Sequence, residues 1–232
     1  MSVESVSSVA QDYMKAIWTL GEWSSGPVTT KRLAERLTVR MSTVSEQVRR
    51  LTEAGLLAHE RYGAIELTAA GRLLAVGMVR RHRLIETFLV NHLGYAWDEV
   101  HDEAELLEHA VSDLLIERLD ALLGYPRRDP HGDPIPDGSG ALPSIPARSL
   151  TEMESGECAV VVRISDEDAT TLRRFTELGL NLDVIVSVER RLASRALDLK
   201  LGADPGIVRL EAAEVGGVWV RPLDGATGFP DV

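Results

Sequence analysis

Between Thr29 and Thr68 the order of local signals leaves few folds open. Thr29 or Thr30 can cap a short helix, KRLAERL, whose Leu33, Ala34 and Leu37 recur on one side. A tight connection follows, Thr38-Val39-Arg40-Met41. Ser42 or Thr43 then opens the next helix, VSEQVRRLTEA, with Thr43 and Glu46 at capping-box spacing and Gly55 just past its end. LLAHERYGAIELT alternates about Tyr62-Gly63 as a β-hairpin does, and Thr68 caps a long helix running through Gly71 towards Leu93. Upstream, Tyr13, Met14, Ile17, Trp18 and Leu20 mark a first helix that ends before Ser24-Ser25-Gly26-Pro27. Helix, turn, helix and hairpin in that order form a winged helix-turn-helix, with residues 42–54 as the recognition helix.

An αα-hairpin used only for packing would not need the polar face this segment carries. Arg40, Ser42, Thr43, Ser45, Glu46, Gln47, Arg49 and Arg50 can reach base edges and phosphates. Arg61, near the hairpin tip, is a further candidate phosphate contact. The net charge of −11 conflicts with this only on average. Residues 1–75 hold nine Lys/Arg against eight Asp/Glu, whereas Glu86 to Asp120 hold ten acidic residues against one basic, Arg118.

That acidic segment contains the second informative pattern. His82 precedes Glu86 by one helical turn, and His101, Glu105, Glu108 and His109 follow at similar spacing. Glu105, Glu108 and His109 can therefore converge on one point. Imidazoles and carboxylates gathered in this way suit a divalent metal. Surface ion pairing is the alternative, but only Arg80, Arg81 and Arg83 lie nearby in sequence. His59, His92 and His131 are assigned no site.

Residues 76–124 carry apolar stripes (Leu84, Ile85, Phe88, Leu89; Leu106, Leu107, Val111, Leu114, Leu115, Leu119) wider than one small helix pair buries, which predicts a homodimer. A Pro/Gly-rich stretch through Asp129-Pro130-His131-Gly132-Asp133-Pro134 reads as a linker. After it, CAVVVRI, LDVIVSVERRL, RALDLKL, GIVRLEAAEV and VWVRPL read as strands, with a helix, ATTLRRFTELGL, inserted after the first. Short strands at this density suggest a small SH3-like barrel. The fold class is thus mainly α with a small β domain: 1–75 winged helix-turn-helix, 76–125 helical metal-binding and dimerisation domain, 126–148 linker, 149–232 SH3-like domain.

Taken in order, AQDYMKAIW, the winged helix, MVRRHRLIETFL, VHDEAELLEHAVSD and DPHGDPIP resemble the diphtheria-toxin-repressor family of metal-dependent transcriptional regulators. The resemblance implies two metal sites per chain. The primary one takes Glu108 and His109 with Glu105 and Asp12, where the iron-responsive branch has cysteine and methionine. Carboxylate oxygen in place of sulfur favours Mn²⁺ over Fe²⁺. Lys15 departs from the two-domain manganese regulators, which have a carboxylate there, and this argues against their closely spaced pair of ions. The second site takes His82, Glu86 and His101, completed from the SH3-like domain within Asp166–Thr171, with Asp168 preferred.

These readings lead to one expectation: a dimeric, manganese-dependent repressor that binds a palindromic double-stranded DNA operator and controls metal-uptake genes, with Fe²⁺ as the alternative co-repressor. A metal-dependent hydrolase is the rival class, but HExxH, GxSxG and a phosphate-cradling glycine loop are missing from the sequence. A metal-buffering protein would leave the recognition helix without a use. One cysteine, Cys158, fits a reducing cytoplasm, and the chain lacks both an apolar run long enough to span a membrane and an export signal at its start.

Overall fold

A computed structural model describes residues 6–23, 26–60 and 63–223. The chain divides into two compact units. The first comprises the chain up to Ile85, with Ala104–Arg127 and Ile135–Leu142; the second comprises Glu86–Glu103, Arg128–Pro134 and the chain from Pro143.

In the first unit, α1 (Ser8–Glu22) begins at Ser7, whose side chain accepts from Ala10 N. Thr29 caps α2 (Thr30–Arg36) by accepting from Arg32 N. The recognition helix, α3, spans Met41–Glu53 and starts from Arg40 without a side-chain cap. Ser42 and Thr43 therefore lie inside it, and the expected Thr43–Glu46 capping box does not form. Glu46 is drawn instead to Arg49 and Arg50. Gly55, at φ 74°, ends the helix as expected. Strands β1 (Leu57–His59) and β2 (Ile65–Leu67) pair antiparallel as the wing, with Leu57 opposite Leu67.

Met14, Ile17, Leu33, Val44, Val48, Leu51, Leu57 and Ile65 bury one core among these elements. Each such aliphatic side chain contributes about 1.5–3 kcal/mol. Thr68 caps α4 (Ala69–Leu93) through Gly71 N. A Cβ on Gly71 would lie 2.1 Å from Leu56 O, so glycine is required where the helix start packs against the wing. Helices α5 (Val100–Leu107) and α6 (Asp113–Leu122) follow. In the first unit's part of this segment Leu106, Leu114, Leu115 and Leu122 are exposed.

The second unit is built on a six-stranded antiparallel sheet in the order β3-β8-β4-β5-β6-β7. Its strands are β3 (Arg148–Ser149), β4 (Cys158–Ile164), β5 (Ile185–Arg191), β6 (Leu197–Leu201), β7 (Val208–Leu210) and β8 (Val218–Pro222). Of GIVRLEAAEV only Val208–Leu210 is strand: Glu211 and Glu214 form a reciprocal capping box that starts α8 (Ala212–Val215). Helix α7 (Ala169–Leu178) lies between β4 and β5, and its Leu172 and Phe175 join Val161, Val186, Leu199 and Val220 in the core. This is the expected SH3-like arrangement.

The Pro/Gly-rich stretch read as a linker is a packed turn over Asp129–Asp133. Asp129, His131 and Asp133 are buried, and Asp129 Oδ1 accepts from both His131 N and Asp133 N at 2.9 Å. Arg163 binds Asp133 at 3.0 Å while its guanidinium lies 4.1 Å from the centre of the Trp219 ring. Gly132, at φ 92°, passes so close to β4 that a Cβ would meet Val162 O at 2.1 Å.

Candidate metal centres and nucleic-acid face

The first cluster forms where α1 meets the end of α5. Glu108 and His109 follow the last residue of α5 and are held from α4 by Arg81, which donates to Val111 O at 2.5 Å and pairs with Asp113. His109 Nε2 lies 2.9 Å from Asp12 Oδ1 and 3.7 Å from Glu108 Oε1. Its other nitrogen, Nδ1, is 2.7 Å from Gln11 Oε1. Gln11 is oriented by its own amide, which donates to Val6 O at 2.9 Å. Gln11 Oε1 can only accept, so Nδ1 carries the proton and Nε2 faces the carboxylates. Burial raises the Asp12 pKa, against the pull of His109 and Lys15.

Sequence reasoning missed Gln11, although it sits beside Asp12 in AQDYMKAIW. It named Lys15 only as a departure from the two-domain regulators, not as the cation that partners this cluster. The Lys15 ammonium donates to Glu105 Oε1 at 2.7 Å and to Glu108 Oε1 at 2.6 Å. The cation that seemed to be lacking near the acidic run thus comes from α1, ninety-three residues away from Glu108. His82, assigned by resemblance to the second cluster, binds Glu108 Oε2 through Nδ1 at 2.6 Å.

The second cluster lies in the second unit. His101 Nδ1 is 3.0 Å from Asp166 Oδ2 and 3.6 Å from Glu86 Oε1. Asp168 is not part of it: its carboxylate caps α7, accepting from Thr170 N and Thr171 Oγ1. The residue beside His101 is Asp166, two positions earlier. Burial would lower the His101 pKa, but hydrogen bonds to Asp166 and Glu86 outweigh it and push it up to about 10. Asp166 is driven below the usual carboxylate range by His101, against the effect of its burial.

His131, set aside in the sequence, is fully buried with Nδ1 3.8 Å from Glu86 Oε2. Its Nε2 donates to Trp97 O at 2.7 Å, so Nδ1 is the atom left for a proton or a metal ion. Only its place in DPHGDPIP hinted at this, and the prolines and glycine there read as a linker.

Both donor sets suit a divalent ion. Ligand atoms of Asp12, Glu108 and His109 fall within 4.8 Å of one another, as do those of Glu86, Asp129 and His131. Oxygen predominates in each, which favours a hard ion.

On α3, Ser42, Thr43, Ser45, Glu46, Arg49 and Arg50 are exposed and Gln47 is half-buried, with Arg40 exposed just before the helix. Met41 and Val39 add exposed apolar groups to this face. Glu46 accepts from Arg49 and from Arg50 at 2.9 Å, and Glu53 accepts from Arg49 at 2.6 Å. Arg61 lies outside the described residues.

Comparison with known proteins agrees with this geometry. Residues 5–65 match the N-terminal DNA-binding domain of iron-dependent repressors, 68–137 their metal-binding and dimerisation domain, and 148–222 the FeoA domain. The chain is 36% identical to the iron-dependent repressor IdeR of Mycobacterium leprae over 80% of its own length and 85% of that protein's. It is 33% identical to the diphtheria toxin repressor of Corynebacterium diphtheriae, over 79% of this chain and 83% of that one. A solved manganese-dependent transcriptional repressor in complex with manganese superposes with a TM-score of 0.87 at 51% identity, covering 92% of this chain and all of that one. None of the described helices is long and apolar enough to cross a membrane. The chain belongs to the diphtheria-toxin-repressor family, whose members are metal-dependent DNA-binding transcriptional repressors and not enzymes.

Proposed function

We propose that this chain is a Mn²⁺-responsive repressor of metal-uptake genes that acts in the cytoplasm as a homodimer on a palindromic operator. The observation that carries this reading is the meeting of Asp12, on α1 of the DNA-binding segment, with Glu108 and His109 at the end of α5. An ion bound there supplies positive charge that joins α1 to α5. Asp12 and Glu108 supply hard oxygen donors, and Gln11 keeps His109 Nε2 turned towards them. Fixing α1 restrains the helix-turn-helix packed on it, and so sets how α3 is presented to the major groove. Exposed Leu106, Leu114, Leu115 and Leu122 offer the apolar area a second copy would cover.

The second cluster is assigned to Glu86, His101 and Asp166, with His131 and Asp129 beside them; Asp166 takes the role expected of Asp168. Arg40, Ser42, Thr43, Ser45, Glu46, Gln47, Arg49 and Arg50 form the DNA face.

Duplex-binding titrations with Mn²⁺, Fe²⁺ and chelator test the reading. Mn²⁺ should tighten operator binding of the wild type and leave Asp12→Ala at its chelator value. Equal affinity with Mn²⁺ and chelator would leave a constitutive DNA binder, and a stronger response to Fe²⁺ would move the chain to the iron branch.

A further inference from the structure

We propose that Arg190, Asp198 and Arg209 form an arginine clamp on the outer face of the six-stranded sheet, and that it binds the phosphate backbone of duplex DNA. The proposal rests on DNA binding by α3 and adds a second contact that does not depend on sequence. It starts from strand register. Asp198 on β6 pairs with Arg190 on β5 and with Arg209 on β7, so the three stand in one row across the sheet. Leu197, Leu199 and Leu201 join the core, which turns Asp198 to the opposite face.

Asp198 forms the floor of the row with 5% of its side chain exposed, whereas those of Arg190 and Arg209 are 63% and 51% exposed. Its Oδ2 accepts from Arg190 Nε at 3.0 Å and Nη2 at 2.7 Å, and its Oδ1 accepts from Arg209 Nε at 2.7 Å. Arg209 Nη2 also reaches Oδ2, at 3.2 Å. Each guanidinium thus turns its Nε edge to the carboxylate and leaves Nη1 without a partner among the described residues. A buried carboxylate needs one cation to compensate it, and this one holds two, so a positive charge is left over at the surface. The carboxylate also fixes both side chains in advance, which reduces the rotamer entropy an exposed arginine loses on binding.

Charge counting points the same way. Residues 149–184 hold three Lys/Arg against eight Asp/Glu, whereas residues 185–210, which run from β5 through β7, hold five against three. Lys200 and Glu189, also on β6 and β5, pair at 3.2 Å and cancel. The surplus of this stretch stands out in a chain of net charge −11 and calls for an anionic partner. An arginine fork matches the oxygens of a phosphate. Duplex DNA repeats that group along its whole length, and it is the polyanion that α3 engages.

The test measures how salt weakens binding of the full chain, with Mn²⁺ present, to a long mixed-sequence duplex. Arg190→Gln and Arg209→Gln each leave Asp198 one arginine, so its burial stays compensated and the two variants check each other. Each should lower the slope of log affinity against log salt by about 0.9, the share of one phosphate contact. Arg195→Gln serves as the control: it removes the same charge from the exposed turn between β5 and β6, outside the row, and should keep the wild-type slope. Unchanged slopes in both clamp variants would overturn the proposal and leave the row as an internal ion network. An equal fall in Arg195→Gln would overturn it too, because the effect would then be diffuse. Failure of the α3 reading would look different: Arg50→Ala would bind the duplex as the wild type does, whatever the clamp variants show.

Discussion

Lys15 on α1 and Glu108 just past α5 meet through Nζ and Oε1 at 2.6 Å, both buried, with His82 holding the other oxygen of Glu108. The helix that carries the DNA-binding core is thus bound to the end of α5 by a protein cation before any metal is added. A buried carboxylate needs such a partner, and removing one member of the pair leaves an uncompensated charge.

Lys15→Met should therefore lower the stability of the metal-free protein by roughly 3 kcal/mol, the low end of what breaking a buried pair costs, because His82 still serves Glu108. Thermal denaturation in chelator measures this. Adding Mn²⁺ should recover more stability in the variant than in the wild type, since the ion then supplies the missing charge. An unchanged melting temperature would mean that the pair contributes nothing.

Asp12→Ala and His109→Ala should uncouple metal from DNA. Metal-free affinity for an operator duplex should stay near wild type, while the gain on adding Mn²⁺ falls from the roughly 5–150-fold expected of a coupling of about 1–3 kcal/mol to near onefold. Gln11→Ala should show an intermediate loss, because it only orients His109 Nε2. Fluorescence anisotropy with a labelled duplex separates the three.

Glu46 neutralises the two arginines of α3 that are best placed for phosphates. Glu46→Gln should free them, tighten binding to any duplex and steepen the dependence of affinity on salt, since each added phosphate contact releases counterions. Arg50→Ala should do the reverse. A Glu46→Gln variant with an unchanged salt slope would show that the arginines stay off the DNA.

His101 sets a pH dependence at the second cluster. Without an ion it keeps its proton until about pH 10, so its pairing with Asp166 and Glu86 stabilises the fold fully below the ordinary value of 6.5. That contribution is lost as pH rises through about 10. Binding an ion requires the proton to leave, so Mn²⁺ affinity at this cluster should rise with pH, about tenfold per unit for one displaced proton. Calorimetric titrations in buffers of different ionisation heat count the protons released; His101→Gln should flatten the profile.

Gly132→Ala should weaken the second cluster without touching the first. The added Cβ would collide with Val162 O and the residue would be held at φ 92°, shifting His131 and the turn around Asp129. Mn²⁺ titration should show one site weakened and the other retained.

Local signals were legible wherever the chemistry is local. The caps at Thr29 and Thr68, the turn at Gly55 and the apolar periods of α1 to α4 follow from neighbouring residues, and the helix-turn-helix with its wing was readable from them. So was the alternation that gives β4 to β6. The clustering of His101, Glu105, Glu108 and His109 announced a metal-binding region, because helical spacing alone brings such donors together. What the sequence could not supply were contacts closed by long-range packing. Helical spacing puts Glu105 and Glu108 on one side where α5 ends, but only the approach of α1 shows that Lys15 sits between them. His131 and Asp129 looked like parts of a linker because proline and glycine mark a break in regular structure without saying whether the turn is buried. Asp166 and Asp168 are equivalent in composition; which one meets His101 depends on where β4 ends and on Asp168 capping α7, and that is set by the packing of the sheet.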